Sequence, residues 1–334
     1  MHKSSIWRLA GLAAAIVVLA GTIGLTGGQI RIGQPDLQGV WNYSTITPLE
    51  RPAELAGRAF LTEAEAAALA KREADHRSRA NPVDLAEAKQ VPDFGAGFEA
   101  PLAYEFRIWW DRGTVAKTRQ TSLVIDPSDG RLPPLTPEGQ KRRAADMAYR
   151  RQHPSDGPED RSVVDRCLFG INEGPPMIPN TYNNLVQIFQ TPGYVALLTE
   201  MNHNARIVPM EDRPHPQVTT RQWAGHSRGH WDGDTLVVDS VNFRAATGYW
   251  ASSANMRLRE RFTRVDANTL FYEFTVEDPT TWTRPFTGRV PMTKTGERIF
   301  EYACHEGNYS MTNILAGARA EEQAAAAAAG KIPR

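Results

Sequence analysis

The sequence predicts a mainly β protein: an antiparallel, lipocalin-like barrel or sandwich with peripheral helices in the N-terminal half. Three observations carry this. From Asn183 to Cys304, short apolar-alternating runs follow one another with Asn, Asp or Gly at most junctions. Helix-start signals are confined to the first half and the tail. The chain has 334 residues, 41% hydrophobic and 23% charged, which suffices for a large buried core.

The segments divide in chain order. Residues 1–28 open with His2, Lys3 and Arg8, followed by an apolar run from Leu9 to Leu25 with small residues at Val18-Leu19-Ala20. This reads as a cleaved export signal or an uncleaved anchor, and an anchor is the one membrane contact expected. No Cys follows the run, which argues against a lipoprotein anchor. Residues 29–155 mix strands and helices packed on the barrel. Thr62 and Glu65 have capping-box spacing, with a helix expected to about Arg79. Thr136-Pro137-Glu138 starts a second helix, running to about Arg151. Between them, Ala103–Asp111 and Val115–Asp126 read as strands.

Residues 156–312 form the barrel region. Asn183–Gln190 and Tyr194–Met201 flank a Thr-Pro-Gly turn, and Ala205–Met210 follows. Arg221–Trp231 and Thr235–Phe243 flank Asp232-Gly233-Asp234. Leu258–Asp266, Thr269–Asp278, Trp282–Met292 and Arg298–Cys304 complete the set. Residues 313–334 read as a helix ending in an Ala-rich tail.

Lys+Arg and Asp+Glu both number 38, so no basic excess calls for a nucleic-acid partner. No G-x-S-x-G, P-loop, H-E-x-x-H or strand-linked G-x-G-x-x-G occurs, so no nucleotide or other cofactor is expected. His226 and His230 lie at i and i+4, but on a strand that spacing is about 13 Å, too far to share an ion, so no metal is expected. The two cysteines, Cys167 and Cys304, read as one disulfide in an exported chain; the alternative is two buried thiols.

Gly39-Val40-Trp41 resembles the G-x-W that opens the first strand of lipocalin-like barrels. That resemblance implies that Trp41 closes one barrel end. The segments RCLFG, GPPMIPNTYNN, QTPGYV, MNHNARIVPM, GHWDGDTLVVD and CHEGNY resemble a group of exported bacterial proteins. The likeness implies export and carries no activity with it.

Three polar clusters stand out. A two-residue turn at Asp232-Gly233 sets His226 opposite Asp239, with Arg228 and His230 on the same face. A carboxylate beside His fixes its tautomer for acid–base work; an exposed polar hairpin face is the alternative. The second cluster runs from Glu200 to Arg206, with Glu200 and Asn202 on one strand face and His203 on the other. The third is Cys304-His305-Glu306-Gly307-Asn308-Tyr309, at the end of the last expected strand, where a turn is equally good chemistry. Trp41, Trp250, Tyr182 and Asn183 complete the expected ligand-binding rim.

The expected activity follows. A pocket in the barrel takes a small amphiphilic or carbohydrate-like molecule. His226 or His203 acts as base, with Asp239 and His305 in support and Arg206 or Arg228 holding an anionic group, as in a metal-independent lyase, isomerase or hydrolase. A non-catalytic ligand-binding protein and a structural envelope protein remain open, and oligomeric state is not legible.

Overall fold

Among the described residues, ten strands share one antiparallel sheet, and the strand carrying Trp41 lies in its middle. The computed structural model describes residues 33–79, 113, 118–170, 172–211, 213–215, 220–245 and 252–330. The strands are β1 (Gly39–Asn42), β2 (Val124–Asp126), β3 (Leu185–Gln190), β4 (Tyr194–Thr199), β5 (Ala205–Pro209), β6 (His226–Asp232), β7 (Thr235–Val241), β8 (Arg257–Arg264), β9 (Thr269–Glu277) and β10 (Phe286–Thr295). The order is β5-β4-β3-β1-β10-β9-β8-β7-β6, and β2 also pairs with β10. β1 therefore joins two meanders. Trp41 faces Val186 on β3 and Lys294 on β10.

The alternation in the sequence is the alternation in burial. Leu270, Tyr272, Phe274 and Val276 of β9 point inward, as do Phe286, Val290 and Met292 of β10 and Leu258 and Phe262 of β8. They meet Trp41, Val186, Ile188, Val195, Leu197 and Val208 from the other meander. Each such side chain contributes about 1.5–3 kcal/mol by leaving water.

The sheet curls without closing. Among the described residues no ladder joins the edge strands β5 and β6, so a closed barrel is not what the hydrogen bonding forms. The two edges nonetheless lie side by side. A Cβ placed on Gly229 of β6 would stand 3.0 Å from Val208 Cγ1 of β5, so the missing side chain is what allows that approach.

Helix α1 (Glu63–Arg79) begins as the capping box foretold. Glu65 N donates to Thr62 Oγ1 at 3.2 Å, and Thr62 N donates to Glu65 Oε2 at 2.8 Å. Helix α2 (Pro137–Gln152) is capped by Thr136, which accepts from Gly139 N and donates to Thr280 O. That bond docks the helix on the β9–β10 connection. Helix α3 (Tyr309–Ala328) starts at Asn308 and has no fully buried residue.

Two expectations are corrected here. Arg298–Cys304 is not a strand, and Phe300 in its middle is 69% exposed. The reason is topological: β1 already occupies the flank of β10 that a following hairpin strand would take, with Val40 opposite Thr295. The β6–β7 turn is Gly233-Asp234, not Asp232-Gly233, since Asp232 pairs with Thr235. Gly233 takes φ +57° at the first turn position, where a positive angle suits glycine. The Ala103–Asp111 strand and the 1–28 signal lie outside the described residues. Among the described residues no helix is long and apolar enough to cross a membrane.

Candidate functional site

The register change dissolves the expected His226–Asp239 dyad. His226 faces Val241, and Asp239 faces Arg228. Asp239 instead accepts from Arg259 Nε at 2.8 Å. Arg228 meets Glu211 at 3.3 Å, and His230 is exposed. Arg228, His230 and Asp239 share a depression of about 490 Å³ on the outer face with His215 and Glu211, where solvent-facing ion pairs are worth about 0–1 kcal/mol.

His226 has a different neighbour. Its Nδ1 lies 3.0 Å from Nδ1 of His215, so one ring donates to the other. Burial pushes both imidazoles below the usual histidine range; the charge of His226 adds to this for His215, and Arg228 adds to it for both. The folded protein therefore binds fewer protons here than the unfolded chain once the pH falls below about 6.5. Stability should fall as pH drops through that point. Denaturant midpoints taken from about pH 7.5 down to about pH 5 should decline, and the decline should be shallower in the His215→Gln/His226→Gln variant. Equal slopes would show that the pair is not a linked site.

Two cavities meet at the ends of β4 and β5. The first is a chamber of about 400 Å³ between the Cys167–Phe169 segment, the Asn202–Asn204 turn and the Glu301–Glu306 segment. The second is a groove of about 600 Å³ running from Asn204 along β5 to Arg221–Ser227 and Arg244. Asn204 and Trp223 line both, so they form one cleft.

The chamber is built on Glu173, which the sequence reading missed. The residue is 4% exposed, and its carboxylate accepts from Gly170 N at 2.7 Å, from Asn202 Nδ2 at 2.8 Å and from Asn204 Nδ2. Burial raises its pKa above the ordinary carboxylate value, against the pull of these three donors. A lone Glu in an Asn-Glu-Gly-Pro-Pro stretch reads as a surface loop. Only the fold reveals its burial.

Glu173 holds the turn that presents His203. β4 ends at Thr199, and Met201–His203 is a single 3-10 turn, not the continued strand expected. Asn202 and His203 have φ of +55° and +50°, two consecutive non-glycine residues in the left-handed region. Such conformations cost about 1–3 kcal/mol each and persist where surrounding bonds over-determine them. Here the bond from Asn202 to Glu173 and the Thr199 N to Asn204 O bond at 3.0 Å do so.

The opposite wall carries His305 and Glu306 on a turn fixed at both ends. Cys304 is bonded to Cys167, with Cα atoms 5.7 Å apart. Asn308 Nδ2 donates to Asp165 O at 3.0 Å. Tyr302 also lines the chamber and stacks on Tyr182 at 6.4 Å between ring centroids. Burial, helped by Tyr302, pushes the Tyr182 phenol up to about 12.

Of the expected site residues, then, His203, His305 and Glu306 share the chamber, and Arg206 and His226 line the adjoining groove. The three histidines do not meet in one cavity. Arg206 is bound to the fully buried Glu260 of β8 through both terminal nitrogens. Glu200 is buried near Tyr43, and its charge helps burial raise that phenol. Asn183 accepts from Asn172 through its carbonyl. Trp41 is fully buried, donating to Leu37 O at 2.8 Å, and belongs to the core rather than to a rim. Trp250 lies outside the described residues. Among the described residues no group of three or more His, Cys, Asp or Glu side chains is placed to hold a metal ion.

No family model, curated protein or solved structure matches this chain.

Proposed function

We propose that this chain is an exported protein that binds a small, carbohydrate-like molecule in the chamber between His203 and His305. The observation that supports this most is the lining itself. Flat aromatic groups, Trp223, Tyr302 and Phe169, stand beside Glu173, Asn202, Asn204, Glu301 and Glu306. Aromatic faces take the C–H face of a sugar ring, while amides and carboxylates take its hydroxyls. A disulfide suits an oxidising compartment, which supports export. The lipocalin-like reading of the curled sheet draws support from buried Trp41 in the central strand and from the nearness of β5 and β6.

Acid–base catalysis is a second reading, favoured by one feature. Glu173 is a buried carboxyl of raised pKa, lining a chamber with two histidines, one of them on a strained turn. Perturbed carboxyls and stored backbone strain gather at reacting sites.

Melting temperatures measured against a panel of monosaccharides and disaccharides test the binding. A ligand that binds the native state raises the midpoint by mass action. The shift should vanish in His203→Ala and His305→Ala. A shift that survives both substitutions places the ligand elsewhere and overturns the reading. If the chamber is catalytic, Glu173→Gln and His203→Ala should each lower kcat by about 100-fold or more on the ligand so found.

A further inference from the structure

The groove beside the chamber has a different character. Arg206, Arg221, Arg244 and His226 line it, and among its described lining residues there is no carboxylate. In a chain whose charges balance at 38 against 38, the three arginines here are a local concentration of one sign. The charge of Arg206 is met from below by Glu260. Arg221 donates to the carbonyls of Phe243 and Ala254, which orient its guanidinium and bring no countercharge. Arg244 lies 4.8 Å over the Trp223 ring.

The backbone anchors these two arginines around one parallel bridge, Arg221 one residue before Gln222 and Arg244 one residue after Phe243. Gln222 N donates to Asn242 O at 3.0 Å, and Arg244 N donates to Gln222 O at 2.9 Å, so Arg221 and Arg244 flank one bridge. Gly225 presses the following turn against Phe243, with φ +69° and room for no Cβ: the nearest ring atom would be 2.8 Å away. The backbone carrying both arginines is therefore set before any ligand arrives, and the Phe243 and Ala254 carbonyls orient the Arg221 guanidinium.

The cleft thus has a carboxylate-bearing end and a cationic end, with Trp223 shared between them. We infer that the groove is an anion subsite, and that the molecule bound in the cleft is a ring compound carrying one carboxylate, of the uronic-acid class. The ring body of that ligand rests on the chamber reading above, and the groove's preference for an anion rests on its own lining.

Trp fluorescence titrations with glucuronate, glucose and sulfate separate the two. Glucuronate should bind about tenfold or more tightly than glucose, the return expected from one charge-assisted contact. Raised salt should weaken glucuronate and leave glucose unchanged. Arg221→Gln/Arg244→Gln should erase the preference. Arg244→Lys, which keeps the charge, should retain most of it and guards against a merely misfolded groove. Equal binding of glucose and glucuronate overturns the anion subsite and leaves the chamber standing. Glucuronate binding that needs the arginines but is indifferent to His203→Ala and His305→Ala supports the subsite and overturns the chamber. No response to glucuronate or sulfate overturns the subsite.

Discussion

Arg206→Met is expected to lower the unfolding free energy by about 3–5 kcal/mol, the cost of stranding a buried charge. Glu260 is 0% exposed and the Arg206 side chain 11%. The two meet through a bidentate pair that crosses from edge strand β5 to β8, on the inner face of the curled sheet. Tyr272 Oη donates to the same carboxylate at 2.8 Å and accepts from Met177 N at 3.0 Å. Burial, with Glu260 beside it, drives that phenol well above its ordinary pKa, so it stays a donor. Remove the guanidinium, and one hydroxyl is left to solvate an anion among Phe262, Phe274 and Leu258. The double variant Arg206→Met/Glu260→Met should recover much of the loss, because no charge remains buried. Its residual deficit should be about 1–3 kcal/mol, because the Tyr272 hydroxyl proton loses its acceptor while the oxygen keeps its bond from Met177 N. Urea midpoints of the wild type, both single variants and the double close the cycle. A loss under about 1 kcal/mol in Arg206→Met would mean that the pair is hydrated and does not tie β5 to β8.

The same pair shows what the chain made legible and what it did not. Leu258, Glu260 and Phe262 are in phase on one strand, so a carboxylate at a core position could be read from spacing alone. Its partner could not, because Arg206 lies 54 residues away on a strand that becomes a neighbour only when the sheet curls. Local signals fared well where the chemistry is local. The Thr62–Glu65 box and the Thr136 cap both formed, since each closes within three residues. The β6–β7 register escaped for a physical reason. A slip of two residues keeps every side chain on its own face, so alternation cannot separate Asp232-Gly233 from Gly233-Asp234 as the turn. Arg298–Cys304 alternates well enough for a strand, yet the flank beside β10 belongs to β1. Glu173 and His215 sit in Pro-rich loops, and loop burial leaves no periodic trace.

The disulfide carries the second large effect. Cys167→Ser/Cys304→Ser should cost about 4–5 kcal/mol, because the bond closes a loop of 137 residues in the unfolded chain. Its consequence for the site is more specific than its consequence for the fold. Cys304 lies in an irregular segment with no ladder of its own, so the bond to Cys167 and the Asn308–Asp165 contact hold the wall bearing His305 and Glu306. The sheet does not depend on that wall: none of its ladders involves residues 298–308. The variant should therefore keep its far-UV strand signature in dilute buffer while losing ligand-induced stabilisation. Mass spectrometry of the unreduced wild type should find no alkylatable thiol, and two after denaturation and reduction. If the variant unfolds at the wild-type denaturant midpoint, the loop-closure account fails. If it keeps full ligand response, the chamber does not need the wall that His305 and Glu306 occupy, and binding must rest on Glu173 and His203 alone.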